Sequence, residues 1–398
     1  MPWKETTVLD DRITFIAMYL TEELSMAALC RTLGISRKTG YKFVQRYQCY
    51  GPEGLSDLSR ATHHHPNGVT EELQERILAC KAAHPTWGPR KLRAVLHRDI
   101  PDIRWPAAST IGTLLHSRGL TVSRKRRLQA TPSYTLTQPG DPNDVWCADF
   151  KGHFALVNGQ RCHPLTITDA YTRTLLRCQA LARTDTETVK PIWVAAFREY
   201  GMPKIIRSDN GAPFASNGLA GLSRLSVWWI KLGIRPERIK PGHPEQNGQH
   251  ERMHLTLKME ATKPPQADIR AQQRVFDRFR HDYNTIRPHE ALGQITPASL
   301  YTPSPRSYPL RLPEVQYPSG VQSRHVRTDG RIRWSGEMIF VSESLIGEHI
   351  GLDQLDDRHF VLYFGPLPLA VLDDHTRSWL PPKTAAKTIQ TLLKENLG

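Results

Sequence analysis

What this sequence lacks narrows it first. No apolar run is long enough to cross a bilayer, and the opening MPWKETTVLD lacks the basic-then-apolar layout of a secretory signal. The expectation is therefore a cytoplasmic, nucleoid-associated protein with no membrane partner. The six cysteines, Cys30, Cys49, Cys80, Cys147, Cys162 and Cys178, include no CxxC pair. That pattern speaks against a zinc knuckle or a disulfide framework and predicts reduced, mostly buried thiols. His63, His64 and His65 stand beside Pro66, Asn67 and Gly68 with no further ligands at useful spacing, so they read as linker. Acidic charge is the scarcer sign: 39 Asp and Glu against 53 Lys and Arg leave a net charge of +14. A basic excess of that size seeks polyanions, and nucleic acid is the commonest. At 398 residues and 39% hydrophobic content, the chain can bury two to four separate cores.

Residues 1–66 carry a helix-turn-helix pattern. Ile13, Ile16, Ala17 and Leu20 recur at helical spacing, and a short helix follows from Met26 to Leu33. Gly34 and Ile35 then turn the chain, and Ser36 is placed to cap a third helix. The start of that third helix is the part that reaches base edges in a major groove. Ser36, Arg37, Lys38, Thr39 and Lys42 are the candidate DNA contacts there. Residues 67–129 repeat the theme as a second helix-turn-helix or winged-helix-like unit. Its helices are marked by Leu73, Ile77 and Cys80, by Leu92, Val95 and Leu96, and by Ile111, Leu114 and Leu115. It ends in Arg124, Lys125, Arg126 and Arg127, a cluster able to neutralise several phosphates. Residues 130–143, rich in Thr, Pro and Gly, read as a linker.

From residue 144 to 265 the pattern becomes α/β. Strands are expected at Val145 to Lys151, Pro164 to Thr168 and Thr174 to Ala180. A helix through Val189, Trp193, Ala196 and Tyr200, a strand ending at Ser208 and further helices come next. Three consecutive strands, then alternating helix and strand, is the order of a ribonuclease-H-like core. Residues 266–310 read as a helical extension and linker, 311–376 as a small β-barrel with Arg324, Arg327, Arg331 and Arg333 on its strands, and 377–398 as a tail.

Three acids carry the chemistry. Asp149 interrupts an otherwise apolar strand, where a charge is costly unless it binds something. Asp209 closes a buried strand and opens the loop Asn210-Gly211-Ala212-Pro213-Phe214, at the sheet edge where α/β folds expose functional groups. The third acid lies in the segment from Pro241 through His243, Pro244, Glu245, Gln246, Asn247 and Gly248 to Glu251.

With Tyr283-Asn284-Thr285-Ile286-Arg287-Pro288-His289 downstream, the pattern resembles the DDE transposases and retroviral integrases. It is most similar to bacterial insertion-sequence transposases with duplicated N-terminal helix-turn-helix units. The retroviral spacing from Asp209 would select Glu245 as the third acid, whereas the local motif selects Glu251. On one helix the two positions lie about 240° apart, so they cannot both face one site; the motif is followed here. Asp149, Asp209 and Glu251 are then the expected catalytic residues and metal ligands. Hard carboxylate oxygens suit Mg²⁺, with Mn²⁺ able to substitute, and two ions can serve an in-line displacement at phosphorus. The resemblance further implies that Lys258 contacts a DNA-end phosphate and that double-stranded DNA, as element ends and target, is the partner. It also implies a homo-oligomer assembled on that DNA. Asp169 reads as a turn residue outside the ligand set. The rival readings are a DNA-binding regulator with a dead core and a ribonuclease-H-like nuclease that does not join strands.

Overall fold

The computed structural model describes residues 7–58, 68–121, 136–216, 218–240, 243, 246, 248–381, 384–385 and 387–388. The chain divides into two compact units, residues 1–69 and 70–398. The first unit is built by three capped helices. At the start of α1 (Val8–Leu20), Thr7 and Asp10 form a reciprocal capping box. Ser25 caps α2 (Met26–Thr32), and the Ser36 hydroxyl accepts from the Thr39 amide at 3.1 Å to start α3 (Arg37–Tyr50). Each cap satisfies an amide that the helix leaves unpaired. The core is Phe15, Ile16, Leu29, Cys30, Phe43, Val44 and Leu55. α1 forms where the spacing placed it but turns Phe15 and Ile16 inward, leaving Ile13 and Leu20 exposed.

The helices meet at Gly40, where a Cβ would stand 2.7 Å from Cys30 Sγ and 3.1 Å from Met26 Sδ. Gly40→Ala gains about 1 kcal/mol of helix propensity but overpacks a buried contact at a cost of about 1–3 kcal/mol. The expected result is a net loss of about 1 kcal/mol in this unit, read by urea denaturation. A more stable variant would show that the contact relaxes freely.

The second unit opens with α4 (Glu71–Ala83), α5 (Pro89–Asp99) and α6 (Ala108–Ser117), which enclose Ile77, Leu92, Val95, Ile111 and Leu115. Side chains tie these helices to residues far downstream in the same unit. Thr86 hydrogen-bonds Glu260, Arg90 pairs with Glu290, and Arg98 Nη1 donates to the Ile286 carbonyl at 3.1 Å.

The α/β core contains β1 (Val145–Phe150), β2 (Phe154–Ala155), β3 (Arg161–Asp169), β4 (Leu175–Leu181), α7 (Thr186–Tyr200), β5 (Ile205–Ser208), α8 (Arg224–Lys231), β6 (Arg235–Arg238), α9 (Gly248–Ala261) and α10 (Ile269–Thr285). The sheet runs β2-β3-β1-β5-β6, with β4 also on β3. β1, β3 and β4 are antiparallel neighbours, whereas β5 and β6 run parallel to β1. Three antiparallel strands followed by two parallel ones is the strand order expected of this segment. Trp146, Trp193, Phe197, Phe214 and Trp229 fill one side of the sheet under α7 and α8. On the other side α9 and α10 bury Met253, Leu257, Phe276 and Phe279. Asn284 clamps the end of α10 to the first residue of β4, accepting from the Leu175 amide at 2.8 Å and donating to its carbonyl at 3.0 Å.

The expected C-terminal barrel is not what forms. β7 (Gln322–His325), β10 (His349–Gln354), β11 (His359–Phe364), β12 (Leu367–Asp373) and β13 (Ser378–Trp379) make an open five-stranded sheet, and β8 (Arg331–Trp334) and β9 (Glu337–Phe340) make a separate hairpin. Closing a barrel requires ladder hydrogen bonds all round. Here the hairpin instead lays Ile332, Trp334 and Ile339 against Leu352, Phe360 and Leu362 of the sheet. Alternation along β8 still exposes Arg331 and Arg333. Among the described residues no helix is long and apolar enough to cross a membrane.

Candidate active site

Two of the three acids are delivered by strand register. β1 and β5 are parallel neighbours, and their last registered pair is Ala148 with Ser208. Asp149 and Asp209 therefore come next on adjacent strands, whose spacing is about 4.8 Å. Burial pushes the Asp149 carboxyl up to about 7, and the negative charges of Asp209 and Glu251 add to the shift. Asp209 is raised as well, again by burial, although the Gly211 amide donates to it at 3.2 Å. A Cβ at position 211 would stand 3.1 Å from that carboxylate, so glycine keeps the acid accessible. Asn210 Nδ2 donates to the Ile239 carbonyl at 2.8 Å and holds the loop against the strand beyond β6.

Glu251 comes from the first turn of α9, exposed and close enough for its charge to act on Asp149. The helix is fixed by its neighbours His250 and His254, both almost fully buried. The Thr166 hydroxyl donates to the Asp149 carbonyl at 3.1 Å and meets the Nε2 atoms of His250 and His254 at 2.7 Å each. One hydroxyl has one proton and two lone pairs, so both rings present Nε2–H. His250 Nδ1 then accepts from the Thr168 hydroxyl at 3.1 Å. His254 Nδ1 faces Asp149 Oδ2 at 3.8 Å, an ion pair only if the ring is charged. Burial pulls His254 down to about 2 and His250 to about 3, so both rings are neutral.

Asp149, His250 and His254 also place potential metal-ligating atoms within 4.8 Å of one another. Three of the four ring nitrogens are already engaged by threonine hydroxyls, so the histidines serve as struts between α9 and β3. The negative charge of the site resides in the carboxylates.

Residues 139–244 and 232–297 match family models of the integrase core domain, and residues 6–56 and 39–115 match models of a homeodomain-like domain. The 31.7 kDa protein of insertion element IS407 from Burkholderia multivorans is 30% identical over 257 residues, which cover 62% of this chain and 87% of that protein. The chain belongs to the transposase–integrase family of insertion elements. The 39.2 kDa protein of insertion element IS476 from Xanthomonas euvesicatoria is likewise 30% identical, over 62% of this chain and 70% of its own length. The HTLV-2 integrase catalytic core domain in complex with magnesium overlaps 41% of this chain and 99% of that one, at 14% identity and a TM-score of 0.33. An overlap that loose carries nothing about ions or assembly.

The remaining candidates lie on other elements of this family member. Arg37, Lys38 and Lys42 are exposed on α3, in the first unit, and Thr39 is half-buried behind its Ser36 cap. Lys258 is exposed on α9, two turns beyond Glu251. Arg124, Lys125, Arg126 and Arg127, and the rival Glu245, lie outside the described residues. Asp169 is wholly buried at the end of β3. It accepts from the Thr172 amide and hydroxyl and the Asn143 amide at 2.7 Å each, the turn role expected of it. Sequence reasoning missed Thr166, Thr168, His250 and His254. The signal was present: two hydroxyls at i,i+2 in a buried strand, and two histidines at i,i+4 beside Met253 and Leu257 on an otherwise apolar helix face.

Proposed function

We propose that this chain is a metal-dependent DNA transposase that cuts one strand at the ends of its element and joins the freed 3′-hydroxyl to target DNA. The reading is carried by the convergence of Asp149, Asp209 and Glu251. Burial raises Asp149 and the charges of Asp209 and Glu251 add to it, a cost that a divalent cation relieves, so the residues suit Mg²⁺ or Mn²⁺. Two bound ions supply activation of water or a 3′-hydroxyl and charge neutralisation at the leaving oxygen.

The chain's own groups do the rest. Asp149 and Asp209, fixed by strand register, and Glu251, fixed by the histidine struts, hold the site rigid through both steps. In the first, water attacks phosphorus, the P–O3′ bond breaks and a 3′-hydroxyl is released. In the second, that hydroxyl attacks a target phosphodiester, a new P–O3′ bond forms and the target's own 3′-oxygen leaves with a proton. Both are displacements at phosphorus, and neither needs a covalent enzyme intermediate. Ser36, Arg37, Lys38, Thr39 and Lys42 read the element end, Arg124 to Arg127 neutralise its backbone, and Lys258 contacts a phosphate at its terminus. The working form is a homo-oligomer on paired ends, in the cytoplasm at the nucleoid.

The test is strand transfer. Purified protein with Mg²⁺ or Mn²⁺ receives the DNA flanking its own gene and a plasmid target, with Glu251→Gln and Glu245→Gln in parallel. The expected result is joined product lost only with Glu251→Gln. Tight end binding without cleavage or joining by the unsubstituted protein would sink the transposase reading in favour of a regulator. Cleavage without joining would favour a nuclease.

A further inference from the structure

The Arg287-Pro288-His289 loop after α10 has no part in the chemistry above, yet it walls a cavity of about 210 Å³ together with α5, α9 and the turn after β3. Lys91, Arg173, Arg252 and Arg287 all line it. Among the described residues, the side chains of Lys91, Arg173 and Arg252 make no ion pair or hydrogen bond. The nearby acids are already committed: Glu260 to Arg287 at 2.6 Å, Glu290 to Arg90, and Asp169 to its turn. Lys91 and Arg173 are half-buried. Gathering unpaired cations against a low-dielectric wall is unfavourable unless an anion joins them. Burial and the charge of Arg287 pull Lys91 down to about 8, against the opposing charges of Glu260 and Glu290. Burial lowers Arg173 too, with a contribution from the charge of Arg252.

We propose that this cavity binds a backbone phosphate of the DNA strand, held by Lys91, Arg173 and Arg252. The inference rests on the reading that this chain handles DNA. Arg252 directly follows Glu251 on α9, about 100° round the helix, so the cavity borders the same helical turn that carries the third carboxylate. A strand presents one phosphate per about 3.4 Å of duplex axis. Thr168 lines the cavity and also bonds His250, which links the anion site to the strut that holds Glu251. Arg287 contributes field but is spent on Glu260, and its guanidinium lies 5.9 Å from the Trp87 ring centroid. The site thus joins α5 of the second helical segment to the integrase core through a ligand.

The test compares full-length protein with Lys91→Gln/Arg252→Gln, neither residue belonging to the carboxylate site. Affinity for a duplex carrying the gene's flanking sequence is measured by anisotropy across a range of NaCl, without divalent metal. Melting temperature is measured in inorganic phosphate and in chloride of equal ionic strength. The expected result has two parts: the slope of log K against log salt falls by about 1 in the double variant, and a phosphate-specific rise in melting temperature disappears. An unchanged slope overturns the proposal, and loss of the phosphate effect alone would mean a site for the free ion. A reduced slope with no phosphate effect in the unsubstituted protein would place the two cations on open surface and overturns the cavity. None of these readouts needs catalysis. A chain that never joins strands can therefore still pass, and a working transposase can fail.

Discussion

Asp149→Asn should leave the metal-free protein more stable and the enzyme dead. The carboxylate is mostly buried on β1, beside Asp209 and near Glu251, and its upward shift to about 7 records what ionising it there costs. At pH 8 the folded protein carries that charge and bears that cost. Asparagine keeps the shape and removes the charge, so it should stabilise the protein in EDTA on the order of 2 kcal/mol. Divalent metal should reverse the order. Mg²⁺ or Mn²⁺ is expected to raise the melting temperature of the unsubstituted protein and to do little for the variant, because a ligand that binds only the fold stabilises it by mass action. Strand joining should fall by at least about 10³-fold, since losing several kcal/mol of transition-state stabilisation at a metal site corresponds to that factor. The measurement is a pair of thermal melts, with and without metal, alongside the joining assay. A variant that melts lower than the unsubstituted protein in EDTA would mean that the fold itself stabilises the Asp149 charge and does not hold it ready for a cation.

How much of this was legible in the sequence depends on the range of the interactions involved. The helices of residues 7–58 and 70–118 were readable because caps and apolar spacing are local. Ser36 announced α3, and the spacing of Leu92, Val95 and Leu96 announced α5. The strand that carries Asp149 was readable from its apolar run. β6 was not, because its sequence is Arg-Pro-Glu-Arg and it exists by pairing with β5, where Arg207 meets the partly buried Glu237 at 2.7 Å. β2 spans only two residues and likewise depends on its partner strand. The inward face of α1 was set by the bulk of Phe15 against α3, which periodicity does not weigh. At the C-terminus the strands were expected, but whether they close is decided by edge pairing between distant segments. That pairing is absent among the described residues because the hairpin stacks on the sheet instead of extending it. In the site, Asp149 was visible as a charge in an apolar strand and Asp209 as the close of a buried one, whereas Glu251 rested on the motif alone. The hub that positions them was signalled only as residue types at strand and helix spacing, because Thr166 and His254 become partners only when β3 and α9 meet.

That hub gives the second large effect. Thr166→Val is nearly isosteric yet should cost about 3 kcal/mol of stability, because the Nε2–H groups of His250 and His254 lose their shared acceptor inside a water-poor interface. Each ring then has to turn or recruit a water, and α9 moves with it. Glu251 sits between the two histidines in sequence, so its carboxylate is displaced from Asp149. A misplacement of about 1 Å can cost about 10²-fold in rate, and a loss of that size in joining is expected at a temperature where the variant is still folded. The proposed binding of DNA through α3, which belongs to the other compact unit, should be unchanged. Thr166→Ser separates positioning from simple destabilisation. It restores the hydroxyl while dropping a methyl group worth about 1 kcal/mol, so it should lose some stability and recover joining. If serine and valine variants of equal foldedness joined strands equally well, the hydroxyl would have no share in placing Glu251, and the two histidines would be ordinary buried residues of the core.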